Sequence, residues 1–166
     1  PHYPSLMAVT KKSGQRRREP TIRNVHVRGF KSLADVRVEL GAFNVFIGAN
    51  GTGKSNLLEA VGLLGAAAYG SVEFESLRYR GVRPGFPFLY KSSFKDQALR
   101  RIITLEASSG HALFRVGLDN PIEKPSAKWK FTHETLENAG RMTLLTDGAE
   151  IFVRIGDRYF NLLRDP

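Results

Sequence analysis

Residues Gly48-Ala49-Asn50-Gly51-Thr52-Gly53-Lys54-Ser55 combine glycines, a lysine and a hydroxyl at the spacing of a phosphate-binding loop. Each type has a chemical reason to be there. The glycines at 48, 51 and 53 allow backbone conformations that a Cβ forbids and leave room for phosphate oxygens. Successive N–H groups from Asn50, Gly51, Thr52, Gly53 and Lys54 then turn inward as an anion nest, and a helix beginning near Gly53 adds unpaired donors and the positive end of its dipole. Lys54 is a point charge able to bridge β- and γ-phosphates, which makes it the candidate catalytic residue. Ser55 offers a hydroxyl to magnesium. The chemistry implied is binding of a nucleoside triphosphate, ATP with Mg²⁺. Asn56 and Glu59 follow on the helix and read equally well as polar positions on its exposed side.

Such a loop works only between a strand and a helix, and the flanking sequence supplies both. Phe43-Asn-Val-Phe-Ile47 is a short, nearly continuous apolar run, as expected for a strand covered on both faces. After the loop, Leu57, Leu58, Val61, Leu64 and Ala68 recur at helical spacing as far as about Gly70. Upstream, order is expected from about Thr21. Residues 21–28 have strand-like spacing, 29–33 read as a turn, and Val36, Val38 and Leu40 alternate as a second strand. The stretch 81–88 is rich in Pro and Gly and reads as a surface loop. The second half predicts an antiparallel meander. Segments 102–107 and 113–118 flank Ser109-Gly110, 142–146 and 151–155 flank Asp147-Gly148, and Gly156-Asp157 leads into 159–163. Residues 120–127, with two prolines, form a connector. The expected architecture is α/β: an N-terminal lobe of a P-loop NTPase with a strand–loop–helix unit and an antiparallel β-layer over residues 21–166, preceded by a disordered basic tail at 1–20.

The chain has 166 residues, enough for one domain with a proper core. It contains no cysteine, which excludes disulfides, thiol catalysis and cysteine-bound zinc and fits a reducing cytoplasm. No apolar run is long enough to cross a bilayer, and the start lacks the apolar core of a signal peptide. Its 25 basic against 16 acidic residues give a net charge of +9, a surface that attracts polyanions, nucleic acid above all. Part of that excess is local, in Lys11, Lys12, Arg16, Arg17 and Arg18. A second basic group comprises Arg78, Arg80, Arg83, Lys91 and Lys95.

Two further stretches bear a resemblance. Val27-Arg-Gly-Phe-Lys-Ser-Leu33 and Phe46-Ile-Gly-Ala-Asn-Gly-Thr-Gly-Lys-Ser-Asn-Leu-Leu-Glu-Ala60 resemble the N-terminal part of an ABC-type ATPase head from the branch of the RecF, SMC and OLD-like ATPases. Arg80-Gly-Val-Arg-Pro-Gly85 and Leu89-Tyr-Lys-Ser-Ser93 resemble a loop of the OLD-like defence ATPases. The resemblance implies that the turn after the first strand lies beside the nucleotide, so Arg28, Lys31 and Ser32 are candidate contacts. It makes Gln97 a candidate magnesium-sensing glutamine. It also implies a homodimer of heads sandwiching ATP, action on DNA in repair, chromosome maintenance or phage defence, and partnership with nucleic acid and an effector nuclease or other subunit.

The family's signature motif, its strand ending in Asp-Glu and its switch histidine have no counterpart after Ser55. Met142-Thr-Leu-Leu-Thr-Asp147 is the nearest to a magnesium-binding strand, but it runs into Gly148 and reads as a hairpin. Ser13-Gly14-Gln15-Arg16 imitates a signature sequence, yet precedes the first strand. The resemblance therefore implies an N-terminal portion of a longer ATPase, enzymatic only when the other half is supplied. Two other classes compete with that reading. A small phosphotransferase would carry its loop close to the N-terminus and continue in helices. A non-enzymatic nucleic-acid-binding module would use the two basic groups and lose affinity steeply with salt.

Overall fold

The computed structural model describes residues 7–10, 22–94, 100–120, 128–138, 142–147, 150–155 and 158–161, with side chains for 22–94, 100–120 and 128–137. Its organising feature is an eight-stranded antiparallel sheet. In spatial order, from one edge to the other, it runs β10 (Arg158–Asn161), β9 (Glu150–Ile155), β8 (Met142–Asp147), β7 (Lys130–Asn138), β6 (Ala112–Asp119), β5 (Ile102–Ser108), β2 (Asn24–Phe30) and β3 (Leu33–Glu39). The meander expected in the second half is present, and it continues onto the first two strands through β5. The strands flanking 109–110 pair antiparallel as expected, and so do β8 and β9.

The alternation of β-branched residues decides which face is buried. Val25, Val27, Val38, Ile103, Leu105, Val116 and Leu118 turn to one side, where helix α1 (Lys54–Ala68) covers them with Leu57, Ala60, Leu63 and Leu64. Gly117 sits where the β6–β7 register shifts, and a Cβ there would run into the His133 ring and Thr132 Oγ1. That close approach is why the strand carries glycine at its bulge. Between α1 and β5 the chain makes a short helix, α2 (Phe74–Tyr79), then an irregular stretch, then a 3₁₀ turn at Pro87–Tyr90. The expected loop at 81–88 is irregular as read, but it is anchored: Val82 and Pro87 are buried.

The turn between β2 and β3 is tighter than the sequence suggests. Phe30 already pairs with Leu33, so only Lys31 and Ser32 make the turn, and Lys31 adopts a positive φ of 47°. Segment 90–92 closes on it. Lys31 N–H donates to the Tyr90 carbonyl at 2.7 Å and Ser92 N–H to the Gly29 carbonyl at 2.9 Å.

Strand β4 (Asn44–Ile47) departs from expectation. It lies outside the large sheet and, among the described residues, pairs only with β1 (Met7–Thr10), antiparallel. The apolar run at 43–47 is therefore not covered on both faces. Phe46 packs against the core, while Phe43, Val45 and Ile47 are exposed. Strand β1 itself falls within the stretch that composition reads as a tail; the basic residues at 11–18 lie outside the described residues. Among the described residues no helix is long and apolar enough to cross a membrane.

Candidate phosphate-binding site

Strand β4 delivers the chain into the glycine loop, and α1 starts at Lys54, directly behind Gly53. Gly51 and Gly53 have φ of 85° and 93°, a region closed to most side chains. Gly53 is also pressed against the β2–β3 turn: a Cβ there would lie 3.0 Å from Ser32 Oγ and 3.2 Å from Leu33 Cδ2. The loop is braced internally by Thr52, whose hydroxyl donates to the Ala49 carbonyl at 2.9 Å. Lys54 folds back across it, with Nζ donating to the carbonyls of Gly48 at 2.8 Å and Ala49 at 2.7 Å.

The result is a cradle of 340 Å³ lined by Asn50, Gly51, Gly53, Lys54, Ser55, Asn56 and Arg83. Among the described residues two cations and no carboxylate line it. The helix behind it has neither a side-chain cap nor an acidic residue in its first turn, so nothing neutralises the positive end of its dipole. Such a donor set fits a polyphosphate. Ser55 is exposed at the mouth and can offer its hydroxyl to a metal carried by that group. Among the described residues no cluster of three or more His, Asp or Glu side chains could hold a metal by itself.

The candidates from the neighbouring turn are placed differently from one another. Ser32 lies at the loop, accepting a hydrogen bond from Asn56 Nδ2 at 2.8 Å. Lys31 turns beneath α1 and pairs with Glu59, its Nζ standing 4.7 Å from the centre of the Tyr90 ring. Arg28 points to the opposite face of the sheet, 3.4 Å from Glu106, and does not line the cradle. Gln97 lies outside the described residues.

Two residues named from the sequence take a place in the site that it did not disclose. Glu59, which reads equally well as a polar position on the exposed side of the helix, is buried and ion-paired to both Lys31 and Arg83. It stands four residues before Leu63, on the side of the helix that turns inward, and that spacing was the available signal. Arg83 reaches across from the loop after α2. Its Nε pairs with Glu59 and its Nη2 donates to Asn56 Oδ1 at 3.0 Å. Tyr90 holds the Arg83 backbone, its hydroxyl donating to the Arg83 carbonyl at 2.5 Å. Burial, reinforced by the Glu59 carboxylate nearby, pushes the Tyr90 hydroxyl above its usual pKa, so it remains a donor.

Among the described residues the basic group of Arg78, Arg80, Arg83 and Lys91 does not form one free surface, and Lys95 lies outside them. Lys91 is buried on Asp119 and the Asn120 carbonyl, Arg80 bonds Ser76 and lies over the Tyr69 ring, and Arg83 faces the cradle. A larger concavity of 850 Å³ occupies the outer face of the sheet beside His26, Glu106 and Ser108, where His26 and Glu106 are already engaged. His26 bonds Asp35 at 2.7 Å, holding that carboxyl below its usual range. Burial pushes Glu106 upward, yet its hydrogen bond to Arg115 and the charges around it prevail and lower it.

Compared with known proteins, residues 21–107 match the family model described as the AAA ATPase domain. That span holds the glycine loop, α1, Glu59 and Arg83. No curated protein and no solved structure matches the chain.

Proposed function

The chain belongs to the AAA ATPase domain family, and from that premise we propose that it binds ATP with magnesium as the N-terminal lobe of an ABC-type head of the RecF, SMC and OLD-like branch. The observation that carries this reading is the cradle, where a strand–loop–helix unit presents Lys54, Ser55 and uncapped helix amides with no opposing carboxylate. In it the loop amides and Lys54 hold the phosphates, Lys54 having a third N–H beside the two it gives to the Gly48 and Ala49 carbonyls. Bound magnesium would screen the phosphate charge, with Ser55 as its protein hydroxyl. The carboxylate and signature residues that complete hydrolysis would come from elsewhere, in a dimer of heads that sandwiches ATP. Action on DNA, in repair, chromosome maintenance or phage defence, is part of the same proposal. It leans on the net charge of +9 and on the tail, because Arg80, Arg83 and Lys91 are already engaged. A reducing, cytoplasmic setting agrees with the lack of cysteine.

Titrating the full chain with a fluorescent ATP analogue and magnesium tests this. Binding is expected, with Lys54→Ala weakening it roughly ten- to a hundredfold, the worth of a lost charge-assisted contact. Turnover by the chain alone should be negligible. Rapid hydrolysis by isolated monomers, abolished in Lys54→Ala, would overturn the two-head reading while leaving ATP binding intact.

A further inference from the structure

The cation pair on Glu59 is unbalanced in a way that bears on the cradle. One buried carboxylate, with 5% of its side chain exposed, receives both Lys31 and Arg83. Lys31 alone neutralises it, and Lys31 is the deeper of the two, lying over the rings of both Tyr90 and Phe30. Arg83 is therefore the surplus charge. Its side chain is 64% exposed, and ion pairs at that exposure hold their partners only weakly. Its backbone, by contrast, is fixed through the Tyr90 hydroxyl, so the guanidinium can move without the loop.

We propose that Arg83 reports on the terminal phosphate: parked on Glu59 and Asn56 in the free chain, its guanidinium transfers to the outermost phosphate of a bound nucleoside triphosphate. This rests on the nucleotide-binding reading above. The loop amides serve the phosphates from the loop side, with Lys54 reaching between the β- and γ-phosphates. Arg83 stands on the other margin, tied to the first two turns of α1 just beyond Ser55. Among the described residues it is the one lining cation that the glycine loop does not itself supply. A guanidinium has the planar fork that matches two phosphate oxygens, and its departure leaves behind a neutral Lys31–Glu59 pair instead of an orphaned buried charge. Asn56, released by Arg83, keeps its bond to Ser32. The consequence is discrimination: a triphosphate recruits Arg83, and a diphosphate leaves it parked.

The test compares a non-hydrolysable ATP analogue with ADP, each with magnesium, on the full chain by calorimetry. Arg83→Ala should raise Kd for the triphosphate about tenfold while changing that for ADP less than about twofold. Tyr90→Phe removes the loop's fastening but not the guanidinium; it should lower thermal stability and leave the ratio of the two affinities unchanged. If Arg83→Ala weakens both nucleotides equally, or neither, Arg83 only fastens the loop and the proposal fails while nucleotide binding stands. A shift of the ratio in Tyr90→Phe as large as in Arg83→Ala overturns it likewise. A wild-type chain that binds neither nucleotide overturns both readings together.

Discussion

Strands β2 and β4 both lead into the cradle, but they are held very differently. β2 has β3 on one side and β5 on the other, and its Val25, Val27 and Phe30 are buried against α1 and its surroundings. Among the described residues β4 has β1 as its single neighbour, and it turns Val45 and Ile47 outward. The cradle thus has one stiff wall and one lightly anchored wall. Its shape is set by side chains reaching across: Asn56 to Ser32, Glu59 to Lys31 and Arg83, and Gly53 seated on Ser32 and Leu33. Backbone continuity with the large sheet contributes on the β2 side only.

The comparison breaks if the two walls respond alike to damage. On the stiff side, Phe30 is fully buried and stacks on Tyr90 with ring centres 5.9 Å apart. Phe30→Ala removes that contact and opens a void under the Lys31 turn, so a loss of about 3–5 kcal/mol is expected in urea unfolding. A loss below about 1 kcal/mol would mean that β2 is no better anchored than β4.

At the junction of the walls, Gly53→Ala should cost less, about 1–3 kcal/mol, by forcing a Cβ into a positive-φ position already crowded by Ser32 and Leu33. It should weaken nucleotide binding more than its stability loss implies, because relief of the clash displaces loop amides. Unchanged nucleotide affinity alongside lost stability would place the phosphate contacts away from this loop.

How much of this the sequence disclosed depended on whether a signal was local. The strand–loop–helix turn at 44–68 was legible because its residue types are dictated by backbone conformation, and the paired strands on either side of Ser109-Gly110 because that dipeptide punctuates alternating residues. Arg83 and Glu59 were not legible as partners: they are 24 residues apart in the chain, and a charged residue on a helix usually faces solvent. Composition likewise grouped Lys91 with its basic neighbours, whereas the bridge between Lys91 and Phe30 draws that lysine inward onto Asp119. For β4, the apolar run did specify a strand. What covers its outer side is a property of neighbours that no residue within 43–47 encodes.

The smallest expected effect belongs to that outer side. Ile47 is 61% exposed and sits opposite Met7 in the β1–β4 pair. Ile47→Ser gives up little burial and keeps the strand's hydrogen bonds, so its stability should stay within about 0.5 kcal/mol of wild type in urea. Ile47 also immediately precedes Gly48, so the same variant asks whether the lightly anchored wall shapes the cradle. If the ties from Asn56, Glu59 and Gly53 set that shape, nucleotide affinity stays unchanged. A destabilisation above about 1.5 kcal/mol, or a drop in solution mass to half the wild-type value, would show instead that this face is covered when the protein is in solution. The contrast between β2 and β4 would then be one of which molecule supplies the cover, and the second wall of the cradle would be built by association.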